Sequence, residues 1–456
     1  MSTSPTTPPV VPSGPPFRLR IERRREEGVA RRGIFSRVLR YFRKLSSAER
    51  SLLNALPLGG TVRCTDPAGA GGEVLEGRLR AELLRWVCTD PEVCSRTDIR
   101  GIEVVNGTIA GVLDLSFCDV SFPILFRDCH FPDGIDLTSA KLCRLEIQGG
   151  SSGPIRASFV EVAYDLAIDG NFSVKGSTSF ADANIHGSFG CRGGRFVNPQ
   201  GVALDCSRIE VDGDVEFSDR FRALGTVHLA GAKLGSSLYC GGGRFLGRRR
   251  KSRPEAAADV QSTRALDAEG IEVRGDIYLD RVTGSLSSSR PFHGFGEVRL
   301  VGANVGDTID CRDAVLRSRG RKALAMDRAK TGGTVFLADL RARGEVRLVG
   351  AVIGGNLECR GARILNGGIA VPEGSPGRRH GTDPRGDFAL NADRVRVSGT
   401  VHLTHGFESH GQVRLVSAAI TGSLVLTGAT LRAGDDVALR ADGATVGGNV
   451  YLNTNR

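Results

Sequence analysis

A short phrase, G-x-(V/L/I)-x-(L/C), returns through roughly the last 280 residues at spacings of about 11, 12 and 26, and such self-similarity is the mark of a solenoid. It reads GTVHL at Gly225 to Leu229, GEVRL at Gly296 to Leu300 and again at Gly344 to Leu348, and GQVRL at Gly411 to Leu415. A weaker echo follows each: SSLYC ending at Cys240, DTIDC at Cys311, GNLEC at Cys359 and GSLVL at Leu426. A third copy closes each unit, as GDVEF at Phe217, GDIYL at Leu279, GTVFL at Leu337, GTVHL at Leu403 and GNVYL at Leu452.

Inside each phrase apolar and polar residues alternate, as in Val346-Arg347-Leu348, which is the period of a strand and not of a helix. Strands of about three to five residues bounded by Gly cannot bury a face alone, but coil stacked on coil they share one core. Uninterrupted units repeat every 48 or 49 residues, from Gly176 to Gly225 and from Gly296 to Gly344. Two coils of about 24 residues satisfy that period, since a coil half as long is too narrow for a side-chain core. Corners such as Ala351-Val352-Ile353 and Ala362-Arg363-Ile364 resemble diverged pentapeptide repeats, whose coils are right-handed and four-sided. The expected fold is therefore an all-β, right-handed, quadrilateral β-helix with an α-helical cap. Its coils are expected from about residue 98 to 456, with corner insertions at 247–261, 281–292 and 367–387. The chain stops just after a strand phrase, an exposed end that invites stacking on another copy or marks a truncated product.

The front of the chain is different. Residues 1–17 are rich in Pro, Ser and Thr and carry no charge, which predicts disorder. Residues 18–50 hold twelve Arg or Lys against four Glu, a net +8 out of +10 for the whole chain. Within 18–45 the residues Ile34, Phe35, Val38, Leu39, Phe42 and Leu45 fall on one helical face, and Arg37, Arg40, Arg43 and Lys44 on the others. That pattern fits a helix packing its apolar stripe on the solenoid, a helix lying on an anionic membrane, or a nucleic-acid contact. The membrane reading assigns lipid contact to Arg37, Arg40, Arg43, Lys44, Phe35, Leu39 and Phe42. A helical cap is expected over 46–97. Ser46-x-x-Glu49 reads as a capping box, and Val74, Leu75, Leu79, Leu83, Leu84 and Val87 as a second amphipathic helix.

Chemistry is sparse. Cys191, Cys240, Cys311 and Cys359 occupy one slot of four successive units and Leu426 takes it in the fifth, so the slot is inward and apolar. Cys64, Cys88 and Cys94 lack paired zinc-site spacing. His402, His405 and His410 match no metal motif, Gly149 to Gly153 fits G-x-S-x-G without the helix that must follow, and Lys330-Thr331-Gly332 lacks its companion motifs. No Walker A or dinucleotide fingerprint is present, so neither a catalytic residue nor a cofactor is expected. Eleven cysteines without a secretory leader predict a reduced, cytoplasmic setting, and no apolar run approaches the roughly 20 residues of a membrane-spanning helix.

Two outward columns are predicted. One runs Glu216, Tyr239, Tyr278, Asp310, Phe336, Glu358, His402, Val425, Tyr451; the other runs His228, Asp267, Arg299, Ala325, Arg347, Asn391, Arg414, Arg440, and is either a basic stripe or a ladder salt-bridged by Glu297 and Glu345, two residues before their arginines on the same face. The insertions at 247–261 and 367–387 share one place in the repeat and carry Arg248, Arg249, Arg250, Lys251, Arg378 and Arg379, candidates for contact with a polyanion from one edge of the rod.

Gly344 to Ile364 resembles the repeat of a family of long bacterial proteins related to pentapeptide-repeat proteins and often labelled membrane-associated oxidoreductases. The resemblance spans roughly residues 46–456 and implies a capped β-helix, with a membrane setting and a redox role implied by the label alone. The residues themselves point to a non-catalytic scaffold, peripheral at the membrane or bound to another polyanion or a protein partner. The alternatives are an enzyme with a groove along the rod, redox or polysaccharide-active, and a nucleic-acid binder.

Overall fold

The computed structural model describes residues 44–64, 77–247, 263–280, 290–366, 388–434 and 437–453, together with Val38 and Phe42. These form a parallel β-solenoid of about 13 turns, with coils of about 23 residues. Each coil has four faces, and in some coils one strand runs through two of them, as Arg195–Asp205 and Val315–Ala325 do. In one coil the strands are Lys233–Leu234 (face 1), Leu238–Tyr239 (face 2), Arg244–Leu246 (face 3) and Arg264–Asp267 (face 4). Face 1 is a thirteen-stranded sheet that runs in strict coil order from Asp119–Val120 to Thr445–Val446. On that face a step of 26 residues is followed by one of 22 or 23 where no insertion intervenes, as from Asn184 to Glu210 to Lys233 and from Asn304 to Lys330 to Val352. The pair makes the 48–49-residue unit of the sequence.

The phrase has a physical cause at each position. Its second residue is always Asp, Ser, Thr or Asn on face 2, and the side-chain oxygen accepts the backbone N–H of the same slot one coil later. The Asp214 carboxylate accepts from Ser237 N at 3.0 Å, Ser237 Oγ from Asp276 N at 3.0 Å, and Asn356 Oδ1 from Thr400 N at 2.8 Å. Its glycine makes room for that oxygen. A Cβ on Gly399 would stand 2.0 Å from Asn356 Oδ1. The third and fifth residues point inward. Cys191, Phe217, Cys240, Leu279, Cys311, Leu337, Cys359 and Leu403 form one column in which a small sulfur alternates with a bulky group, all fully buried. Burial pushes the thiols well above their ordinary range, as it must where no cation or donor favours the thiolate. A run of phenylalanines, Phe180, Phe189, Phe217, Phe221, Phe245 and Phe292, continues the core with neighbouring rings 5.0–5.9 Å apart.

The cap begins with helix α1 (Ser47–Ala55), whose capping box is formed in both directions: Glu49 N donates to Ser46 Oγ at 3.1 Å and Ser46 N to Glu49 Oε2 at 2.9 Å. Helix α2 (Ala81–Thr89) packs against Leu113–Asp114 and Asp119–Val120, covering the first strand edges of faces 4 and 1. Asp90 caps helix α3 (Pro91–Arg96) by accepting from Glu92 N and Val93 N. The cap departs from expectation in one respect. Thr61–Arg63 and Arg78–Arg80 are strands that pair in parallel with Ile102–Val105 and Thr108–Ala110, so Leu79 lies on a strand and not on a helix. Hydrogen bonding to the next coil outweighs the helical spacing of its apolar neighbours. Val74 and Leu75 lie outside the described residues. Among the described residues no helix is long and apolar enough to cross a membrane.

Candidate polyanion interface

Both predicted columns exist in register along faces 2 and 4, although Asp310, Glu358, Asp267, Ala325 and Asn391 are buried. The face-4 arginines are salt-bridged, as the alternative to an open basic stripe expects, but chiefly to acids other than Glu297 and Glu345. Each is neutralised by an acid at a coil corner. Arg299 Nη2 lies 2.8 Å from Glu269, Arg347 Nε 2.7 Å from Asp327, Arg414 Nη2 2.7 Å from Asp393 and Arg440 Nε 2.6 Å from Asp442. Except for Arg440, the acid belongs to the preceding coil, a pairing that follows from stacking and not from spacing within one coil.

The uncompensated charge is on face 3. Its two outward columns run in register through nine coils. The first is Arg195, Arg222, Arg244, His293, Val315, Arg341, Arg363, Glu408, Thr430. The second is Val197, Leu224, Leu246, Phe295, Arg317, Arg343, Leu365, His410, Arg432. Eight arginines thus face one carboxylate, Glu408, which is 3.7 Å from Arg363 and 2.9 Å from His410. Among the described residues no ion pair joins Arg195, Arg244, Arg317, Arg341 or Arg343 to an acid, and all five are exposed. Arginines in adjacent coils are anchored about 4.8 Å apart, and two unit charges at that distance repel by about 1 kcal/mol even in water. His293 registers the field. Its burial lowers its basicity, and the charges of Arg244 and Arg317 lower it further, against the opposing pull of the Pro291 carbonyl.

Beside the first arginines run half-buried apolar side chains, Val197, Leu224, Leu246 and Phe295, with Leu365 37 % exposed further on. Arg317 stacks its guanidinium 5.8 Å from the Phe295 centroid. Face 3 therefore presents a strip about 38 Å long, one edge cationic and the other partly apolar.

Arg248, Arg249, Arg250, Lys251, Arg378 and Arg379 lie outside the described residues, but the chain that carries them leaves and rejoins the rod after Gly247 and after Asn366, both at the corner between faces 3 and 4. The insertion placed at 281–292 ends earlier than expected, because Phe292 is already in the core. Of the front segment, Phe35, Arg37, Leu39, Arg40 and Arg43 also lie outside the described residues. Val38 and Leu45 are buried, and Phe42 packs edge-on to Trp86 at 6.2 Å beneath the Arg80 guanidinium at 4.9 Å. Lys44 is exposed, and its carbonyl accepts from Arg80 Nη2 at 2.8 Å.

The three histidines do not converge. His410 bonds Glu408, His405 Nδ1 lies 2.8 Å from Thr404 Oγ1, and His402 stands 3.7 Å from Glu358. Among the described residues no three His, Cys, Asp or Glu side chains gather as metal ligands would. Sequence reasoning missed face 3, although a signal was present: a small residue, Arg and an apolar residue recur in that order, as in Gly194-Arg195-Phe196, Gly243-Arg244-Phe245 and Ala362-Arg363-Ile364. No family model, curated protein or solved structure matches this chain.

Proposed function

We propose that this solenoid is a non-catalytic scaffold that lays face 3 on a polyanionic partner, and that an anionic membrane surface is the partner. The observation that carries the reading is five face-3 arginines, Arg195, Arg244, Arg317, Arg341 and Arg343, joined to no acid among the described residues, on a rod whose face-4 arginines are ion-paired throughout. The apolar side chains beside the arginines favour a membrane over a duplex, whose phosphate backbone offers them no apolar counterpart. The apolar edge suits the headgroup boundary, where each nearby Lys or Arg contributes about 1 kcal/mol. The insertions that carry Arg248 to Lys251, Arg378 and Arg379 begin after Gly247 and Asn366, at the edge of this face, and their charge has the same sign. The membrane part of the label borne by the family that Gly344 to Ile364 resembles agrees with this reading, which takes no redox role from it. The packed apolar side chains Val38, Phe42 and Leu45 leave the front segment to act through charge, by Arg37, Arg40, Arg43 and Lys44, and not by inserting that stripe.

Co-sedimentation of the full chain with phosphatidylserine-containing and with purely zwitterionic vesicles tests it. The wild type is expected to bind only the anionic vesicles and to release as salt rises. Replacing Arg195, Arg244, Arg317, Arg341 and Arg343 together by Ala should weaken binding by about a thousandfold or more, if each contributes roughly 1 kcal/mol at the surface. Neutralising Arg37, Arg40, Arg43 and Lys44 in a separate variant measures the share of the front segment. Unchanged vesicle binding by the face-3 variant would remove the face from the reading. Salt-sensitive binding to duplex DNA without vesicle binding would transfer it to nucleic acid.

A further inference from the structure

At the corner between faces 4 and 1 every coil has one residue in the left-handed backbone region, a slot that suits Gly. In four consecutive coils it holds Gly302 at φ 66°, Arg328 at 56°, Gly350 at 66° and Arg394 at 57°. Nearer the cap the same slot holds Asp182 and then Arg208, at 57° and 55°. That earlier pair shows what an arginine placed here reaches. Arg208 Nε and Nη2 clasp the two carboxylate oxygens of Asp182, one coil back, at 2.6 and 2.7 Å.

Arg394 has Gly350 where Arg208 has Asp182. In place of a carboxylate there is a cavity of about 360 Å³, lined by Asp327, Arg328, Arg347, Val349, Gly350 and Arg394. Arg328 closes its far side, and a Cβ on Gly350 would stand 3.9 Å from Arg328 Cγ. Among the described residues neither Arg328 nor Arg394 is ion-paired, and both are exposed. The single acid in the lining, Asp327, is already engaged by Arg347 Nε at 2.7 Å and Val349 N at 3.1 Å. Arg328 and Arg394 thus flank an anion position that no acid among the described residues fills.

We propose that Arg328 and Arg394 form a clamp for a small oxyanion, a phosphate or carboxylate group, seated over Gly350 where the Asp182 carboxylate sits in the Arg208 pair. The site lies on a different corner from face 3 and does not depend on what that face binds.

Titration of the full chain with inorganic phosphate at low salt, read by calorimetry, tests it, with sulfate and acetate as parallel arms. Saturable binding at one site is expected. Arg394→Ala should weaken it tenfold or more, the loss of a bidentate charge-assisted contact. Gly350→Asp supplies the missing carboxylate internally at a backbone conformation that Asp tolerates, so it should abolish binding with the fold intact by circular dichroism. Arg208→Ala, whose guanidinium is already satisfied, should leave binding unchanged. Stronger phosphate than acetate binding assigns a phosphate-bearing ligand, and the reverse order a carboxylate. No saturable binding, or equal affinity in the Arg394→Ala protein, overturns the clamp.

Discussion

At Asp280, burial and then the nearby charge of Asp310 raise the carboxyl to about 6, from an ordinary 3.8. The folded group holds its proton more tightly than the unfolded one. Its contribution to stability is therefore full below about 3.8 and is lost as pH rises through about 6. Asp280→Asn, which mimics the protonated form, should raise the unfolding temperature at pH 7 and have no effect near pH 3.5. Thermal scans of both proteins at the two pH values check this, and an equal offset at both would mean that shape and not charge governs the site. Asp310 itself is buried and held by Arg312, so its replacement would expose a cation to the core edge and is a poorer probe.

The coil is the next scale up, and its logic is a set of columns. Leu348 is fully buried in the inward column of face 4, between Met326 in one neighbouring coil and Ala392 in the other. Leu348→Asp would place an unpaired carboxylate there and is expected to cost about 4 kcal/mol or more. Because each coil templates the next, the loss should appear as unfolding of neighbouring coils, read as early amide exchange on both sides of Gly344 to Leu348. Cys311 makes the opposite case. It sits between Leu279 and Leu337, fully buried and without a charged partner on its sulfur. Cys311→Val keeps the column small and apolar at that level and should shift stability by less than about 1.5 kcal/mol, measured by denaturant unfolding. The columns also explain why this element was readable in advance. Gly399 and Asn356 lie 43 residues apart in sequence, yet the glycine is dictated by the Asn356 oxygen in the coil beneath. A slot with one physical cause in every coil repeats in every coil, and the eye finds it. Leu79 was misassigned for the complementary reason, since the first coil has no earlier copy to repeat.

Across the whole molecule charge is distributed by face. Face 4 closes its arginines on corner acids, while on face 3 Arg195, Arg244, Arg317, Arg341 and Arg343 are joined to no acid among the described residues, over about 24 Å. The partition explains how a chain with most of its net charge near the front still presents a strongly cationic side. It also sets what salt does: the face-4 pairs hold their acids close, so screening should act mainly on face 3 and on its binding. The direction of each side chain, in or out, was determined by the sequence alone, because alternation along a strand is a local property that the phrase displays in full. Hence the four-sided solenoid, the cysteine column and both predicted outward columns were legible residue by residue. Which charges meet was decided only by the tertiary structure. Arg347 finds Asp327 and Arg195 lies beside Arg222 at separations of 20 and 27 residues, set by coil lengths that corner insertions change from turn to turn. Stacking at about 4.8 Å turns those distant positions into neighbours, and neither an ion pair nor an open arginine column exists until it does.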